Sequence, residues 1–205
     1  MKKTVLGRPL KKIGSFFMTL TLVFALSGCH TYDGPTKEIG NLTIKLGSNE
    51  KYAMAVSWKW DGDPGNTVIE IPEEYKENVP IDSLGGAGGT NAPLTLFYIT
   101  SDSKAKYSDI DQNTNYSTDE MVFTVKLSKN IEKVHFFSQS SGENMKYVPI
   151  DQEDGSVIFY KILLIVECDE RNENFYSKDG KLYNRKTGDL VKSIPYPEDP
   201  VKEDT

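Results

Sequence analysis

The sequence predicts a mainly β body built as one domain, and three observations carry that reading. Apolar residues recur at period two: Leu42, Ile44 and Leu46 alternate with Thr43 and Lys45, as on a half-buried strand. The composition leans the same way, with 11 Tyr and 9 Phe in 205 residues and 38% hydrophobic residues. No segment sustains a long helical stripe, and a short helical turn around Glu73 to Glu77 is the most that the pattern allows.

Residues 1–28 stand apart from that body. Lys2, Lys3, Arg8, Lys11 and Lys12 precede the apolar run Ile13 to Leu26, which is shorter than the roughly 20 residues of a bilayer-crossing helix and has the flanks of a secretory leader. Leu26-Ser27-Gly28-Cys29 then resembles the lipobox of bacterial lipoproteins. The resemblance implies cleavage before Cys29, a diacylglyceryl group on its thiol, and residence in the bacterial cell envelope outside the cytoplasmic membrane, with the membrane as partner through the N-terminal lipid. More than one acyl chain is needed for stable anchoring. The expected order is a leader (1–28), a lipidated tether (29–37, with the Gly34-Pro35 step), a β-rich repeat-like domain (38–196) and an acidic flexible tail (197–205).

Removing the leader leaves 19 Lys and Arg against 30 Asp and Glu, a net charge of −11. Such a surface repels nucleic acid and suits cations, glycans or basic protein patches. With Cys29 lipidated, Cys168 is the sole remaining thiol, so no internal disulfide can form and stability must come from the core.

In chain order, strands are expected at Leu42–Leu46, Tyr52–Trp60, Val68–Ile71, Leu94–Ile99, Met121–Leu127, Val134–Phe137, Val157–Val166 and Leu182–Tyr183. Asp61-Gly62-Asp63-Pro64-Gly65 closes the second, and Pro72 ends the third.

Residues 166–195, VECDERNENFYSKDGKLYNRKTGDLVKSIP, resemble the repeat of BspA-like bacterial leucine-rich repeat proteins. The matching residues are Asn174, Phe175, Ser177, Asp179, Gly180, Leu182, Tyr183, Asn184, Lys186, Leu190 and Pro195. Residues 67–86 and 123–137 are similar to further rungs, with Ser128 where the family has glycine. The resemblance implies a short, irregular leucine-rich-repeat-like β stack with an N-terminal strand cap, in which rungs bury their apolar faces against one another. It also implies an adhesion-type role at a surface.

Several stretches are candidates for chemistry. Asp109, Asp111, Asn113, Asn115, Ser117 and Glu120 fall at the offsets of a calcium loop, which makes calcium the one candidate cofactor. Thr114 replaces the usual glycine there and Tyr116 the small aliphatic, and a solvated acidic loop accounts for the same residues. Trp58 and Trp60, two apart on a strand, point to one face: exposed, they would form a sugar-stacking platform with Asp61 and Asp63 as hydroxyl acceptors, and buried, they are core. Tyr52 fits either arrangement. Gly85 to Pro93 is glycine-rich but lacks the ending of a phosphate loop. A Cys168/His135 pair is the nearest approach to a nucleophile and base, and the acidic neighbours of Cys168 would raise its pKa, so no catalytic residue is nominated. The expected function is that of a non-enzymatic, lipid-anchored surface protein binding an extracellular protein or glycan; the alternative is an accessory or structural lipoprotein docking onto an envelope complex of its own cell.

Overall fold

The computed structural model describes residues 30–87, 94–104, 115–136 and 147–197. The leader, Cys29, Asp109, Asp111, Asn113 and the tail from residue 198 lie outside the described residues. The body is mainly β. Its strands are β1 (Thr36–Ile39), β2 (Leu42–Leu46), β3 (Ala53–Lys59), β4 (Val68–Glu70), β5 (Glu74–Lys76), β6 (Val79–Leu84), β7 (Gly86–Ala87), β8 (Leu94–Thr95), β9 (Tyr98–Thr100), β10 (Asn115–Leu127), β11 (Lys133–Val134), β12 (Tyr147–Asp151), β13 (Val157–Cys168), β14 (Phe175–Lys178) and β15 (Lys181–Asn184).

Two sheets enclose the core. One runs β1-β2-β3-β6-β11, with β5 added on β6 and β9 on β3; the other runs β12-β13-β10-β4. The N-terminal strands are antiparallel, because a two-residue Gly40-Asn41 turn joins β1 to β2 and Gly40 takes the positive φ (55°) that such a turn needs. Beyond β3 the pairing is mixed: β3 with β6 and β9, β6 with β11, β4 with β10, and β10 with β13 are parallel, whereas β5 with β6 and β12 with β13 are antiparallel. Parallel neighbours require the chain to leave a sheet and return. It does so by crossing between the two, from β4 to β5 and β6, and again from β10 to β11.

The alternation read from the sequence decides which side chains meet. Ile69 on β4, Val125 on β10 and Val166 on β13 lie side by side in register and are fully buried, as are Ile44, Ile81, Leu84 and Ile99 from the first sheet and Phe97 just before β9. Trp58 (6% exposed) and Trp60 (2% exposed) belong to this core and meet Phe123 edge-on at 6.0 and 5.3 Å.

Three expectations are corrected. Residues 73–77 form no helical turn: Asn78 adopts φ 62°, its N–H is accepted by Glu74 Oε2 at 3.2 Å, and the chain doubles back as the β5–β6 hairpin. Of the stretch Val134–Phe137, Val134 lies in β11 and Phe136 makes an isolated bridge to Phe97, with Phe137 outside the described residues, whereas Met121–Leu127 extends back to Asn115 within β10. Residues 30–37 are no tether. Tyr32 is buried, Gly34 N–H donates to Leu46 O at 2.9 Å, and Thr36 opens β1.

The crossing turns are held by a buried amide that the sequence did not announce. Asn172 (1% exposed) donates through Nδ2 to Ser128 O and Ile131 O at 3.0 and 2.9 Å. Its Oδ1 accepts from the backbone N–H groups of Asn174 and Phe175, both at 2.8 Å. All four hydrogen-bonding positions of the amide are filled, which ties the turn after β10 to the turn after β13.

Candidate functional site

Two surfaces stand out, at opposite ends of the long strands. The first is a cleft of about 510 Å³ whose lining includes His30, Tyr52, Asp82, Lys129, Glu132 and Arg171. Its floor follows from a β-bulge. Where β3 steps from Ala53 to Met54, β6 steps from Ile81 to Ser83, leaving Asp82 as the extra residue. Its carboxylate is buried and accepts from Tyr32 Oη at 2.5 Å, and Tyr32 Oη also meets Ser83 Oγ at 2.6 Å. His30 Nδ1 lies 2.6 Å from the other carboxylate oxygen; a carboxylate only accepts, so Nδ1 carries the hydrogen. The His30 ring stacks on Tyr52 with centroids 4.0 Å apart and planes 12° apart.

Glycines make this approach feasible. A Cβ on Gly47 would lie 2.3 Å from the Tyr52 ring, and one on Gly34 would lie 2.7 Å from the backbone of Gly47. Burial, reinforced by the hydrogen bond to Asp82, pushes the Tyr32 phenol far above its ordinary range, so it is a neutral donor. The carboxylate thus fixes the N-terminal segment in place, with the Tyr32 phenol and His30 Nδ1 as donors on a buried acceptor. The outer wall is ionic: Glu73 meets Lys129 at 2.6 Å and Arg171 at 2.7 Å, and Arg171 also meets Asp169 at 2.6 Å. The Arg171 hydrogen bonds hold the Asp169 carboxyl down at about 2.

The second surface is aromatic and lies on the outer face of the β12-β13-β10-β4 sheet. Tyr116 (42% exposed) packs against Tyr147 at 4.8 Å and Phe159 at 6.1 Å between ring centroids, and Val122 on the same strand face is also exposed. Phe159 and Leu163 point to this side, whereas their neighbours Ile162 and Leu164 enter the core. Between Tyr116 and Val122 the exposed Glu120 pairs with Lys161 at 2.6 Å.

The residues singled out from sequence are distributed otherwise. Cys29, Asp109, Asp111 and Asn113 fall outside the described residues. Asn115, Ser117 and Glu120 lie in β10, on extended backbone with a bulge between Tyr116 and Glu120, and the Glu120 carboxylate faces Lys161. That backbone does not curl round a cation, and among the described residues no three His, Cys, Asp or Glu side chains converge on one. The Trp58/Trp60 platform is corrected: both indoles are buried, and Trp60 Nε1 donates to Asp63 O at 2.9 Å. Asp61 and Asp63 are exposed but engaged in their own turn, accepting from Asp63 N–H at 3.0 Å, Asn66 Nδ2 at 2.7 Å and Gly65 N–H at 2.8 Å. Gly85 serves packing, since a Cβ there would lie 2.6 Å from His135 O.

Cys168 Sγ faces Phe175 O at 3.7 Å, and burial pushes its thiol up to about 11, away from the reactive thiolate. Burial, with Lys133 nearby, lowers the His135 pKa. What sequence reasoning missed, Asp82 with its two donors and the Tyr116–Tyr147–Phe159 cluster, comes from segments far apart in the chain. A strand-borne Asp between Ile81 and Leu84 was the one local signal.

No family model matches the chain, and no curated protein matches it. Among solved structures it is similar to the pneumococcal vaccine antigen PcpA at 13% identity and a TM-score of 0.18, over 74% of this chain and 54% of that one. The chain thus spans about half the length of that antigen, and a likeness so distant carries no argument.

Proposed function

We propose that the protein is a non-enzymatic, lipid-anchored surface protein that binds an extracellular protein or glycan through the outer face of the β12-β13-β10-β4 sheet. The observation that carries this reading is the exposed Tyr116, packed against Tyr147 and over the buried Phe159 on that face, with an acid and a base beside it. Tyrosine supplies large contact area at low entropic cost together with a polar tip, which suits both protein and sugar surfaces. The leader and the lipobox-like Leu26-Ser27-Gly28-Cys29 support the anchor.

A BspA-type stack is favoured by register. Strands β4 and β10 come from the two stretches, 67–86 and 123–137, that resemble successive rungs, and they pair in parallel as Val68 with Thr124 and Ile69 with Val125. Strands β6 and β11 of the same stretches pair as Ser83 with Lys133.

The test is a binding panel of extracellular matrix proteins and polysaccharides against the chain from residue 30 onward, with calcium and with chelator. Saturable binding to one class, lost in Tyr116→Ala and retained in a distant surface variant such as Lys37→Ala, is the expected result. No binding in either condition overturns the adhesion reading and leaves the accessory envelope role.

A further inference from the structure

The N-terminal segment does not hang from the body, and that has a mechanical consequence. His30 is held by Asp82 at 2.6 Å and stacked on Tyr52, and Tyr32 is buried on the same carboxylate. Cys29 is joined to His30 by one peptide bond, which leaves about 3.8 Å between their Cα atoms. A lipid on Cys29 therefore leaves the protein at the rim of the cleft, with no slack of the kind a flexible tether provides.

We infer that the docked His30–Tyr32 segment orients the protein on its membrane, setting the cleft rim against the lipid headgroups and pointing the aromatic face away from them. This rests on the lipid-anchor reading above. Charge is compatible with that contact. The lining carries Lys51, Lys129 and Arg171 against Asp82, Glu132 and Glu173, so it is balanced, while the chain beyond the leader has a net charge of −11. The rim thus meets headgroups with less repulsion than the rest of the surface would.

Topology places the other surface at the far end. Lys129 and Glu132 follow the end of β10 at Leu127, whereas Tyr116 lies near its start. The partner strand β13 covers the same stretch from Phe159 to Cys168, nine residues on, which is about 30 Å at the rise of a β-strand.

The experiment uses the lipidated full chain in phospholipid vesicles containing a headgroup-labelled acceptor, with a donor dye on Glu173→Cys at the rim or on Glu153→Cys before β13, both in a Cys168→Ala background. Mass analysis of the N-terminal peptide establishes the lipid on Cys29 first. The oriented protein transfers energy from position 173 at least about threefold more efficiently than from 153, given the strand length of about 30 Å. Replacing His30 and Tyr32 together, as His30→Ala and Tyr32→Phe, or inserting a flexible Gly-Ser spacer after Cys29, brings the two efficiencies together. Equal efficiencies in the lipidated parent overturn the orientation while leaving the anchor intact. An unlipidated Cys29 overturns the anchor and the orientation with it.

Discussion

Removing the Asn172 side chain tests how the crossing turns are held. Its amide makes four hydrogen bonds, at 3.0 and 2.9 Å to the carbonyls of Ser128 and Ile131 and at 2.8 Å from the N–H groups of Asn174 and Phe175. At a net value of about 1 kcal/mol each, Asn172→Ala costs about 4 kcal/mol, and the buried backbone groups left unpaired keep it from being much less. A domain of this kind has about 5–15 kcal/mol in total, so the variant folds only marginally. Asn172→Asp sharpens the argument: it keeps the acceptor and the shape but sets a carboxylate against two carbonyl oxygens, and it costs at least as much. The assay is equilibrium urea unfolding of the soluble chain followed by tryptophan fluorescence, which Trp58 and Trp60 report from the core. A loss below about 1 kcal/mol in both variants, with an unchanged dependence on urea, would refute the clamp.

Other substitutions discriminate between the remaining claims. The Ser128 hydroxyl is buried without a hydrogen-bond partner among the described residues, so Ser128→Ala raises stability by about 1 kcal/mol, and a loss in the melting curve would mean that the hydroxyl has a partner. Tyr32→Phe removes the phenol from the Asp82 carboxylate and lowers stability by about 2 kcal/mol by urea titration; an unchanged midpoint would mean that water replaces it. Burial, then the Asp82 hydrogen bond, raises the Tyr32 pKa above 10.0, and burial raises Tyr196 to about 12 and Cys168 to about 11. An acid with a raised folded pKa contributes fully below its unfolded value and loses that contribution as pH climbs through the folded one. The melting temperature therefore falls above about pH 9, and Cys168→Ala flattens the decline between about 9 and 11; an identical slope in the variant would count against the buried thiol.

The β class was legible because alternation is local: Leu42, Ile44 and Leu46 read as a strand and are one. Strands that carry exposed or constrained residues were not. The residues of β1, Thr36–Ile39, are almost wholly polar, and β12 contains Pro149, which demotes a strand in sequence and is accommodated here because β12 lies at a sheet edge. Gly34-Pro35 reads as a linker because such steps usually are; what folds the segment down is a carboxylate some fifty residues away. Trp58 and Trp60 were correctly placed on one face, but period two gives the face without saying which side the second sheet covers. The grouping of the exposed Tyr116 with Tyr147 and the buried Phe159 was out of reach for the same reason, since they lie on three strands whose register the sequence does not state.

The two ends of the sheets are held in different ways, and that difference separates their roles. At the end of β10 and β13 the crossing turns are joined by polar ties: Asn172 between the two turns, Glu73 to Lys129 and Arg171, and Asn130 Nδ2 to Glu73 O at 2.9 Å. The exposed ion pairs among these are worth little singly, so the buried amide supplies most of the hold. The N-terminal segment docks at this same end, onto a strand whose Asp82 O accepts Glu132 N–H at 2.6 Å. Load from an anchor would therefore enter where backbone from β6, the β10 turn and the β13 turn is cross-linked by hydrogen bonds. The opposite end carries the exposed Tyr116 and, further along β10, the exposed Val122, so a contact made there would leave the buried side chains of both sheets in place.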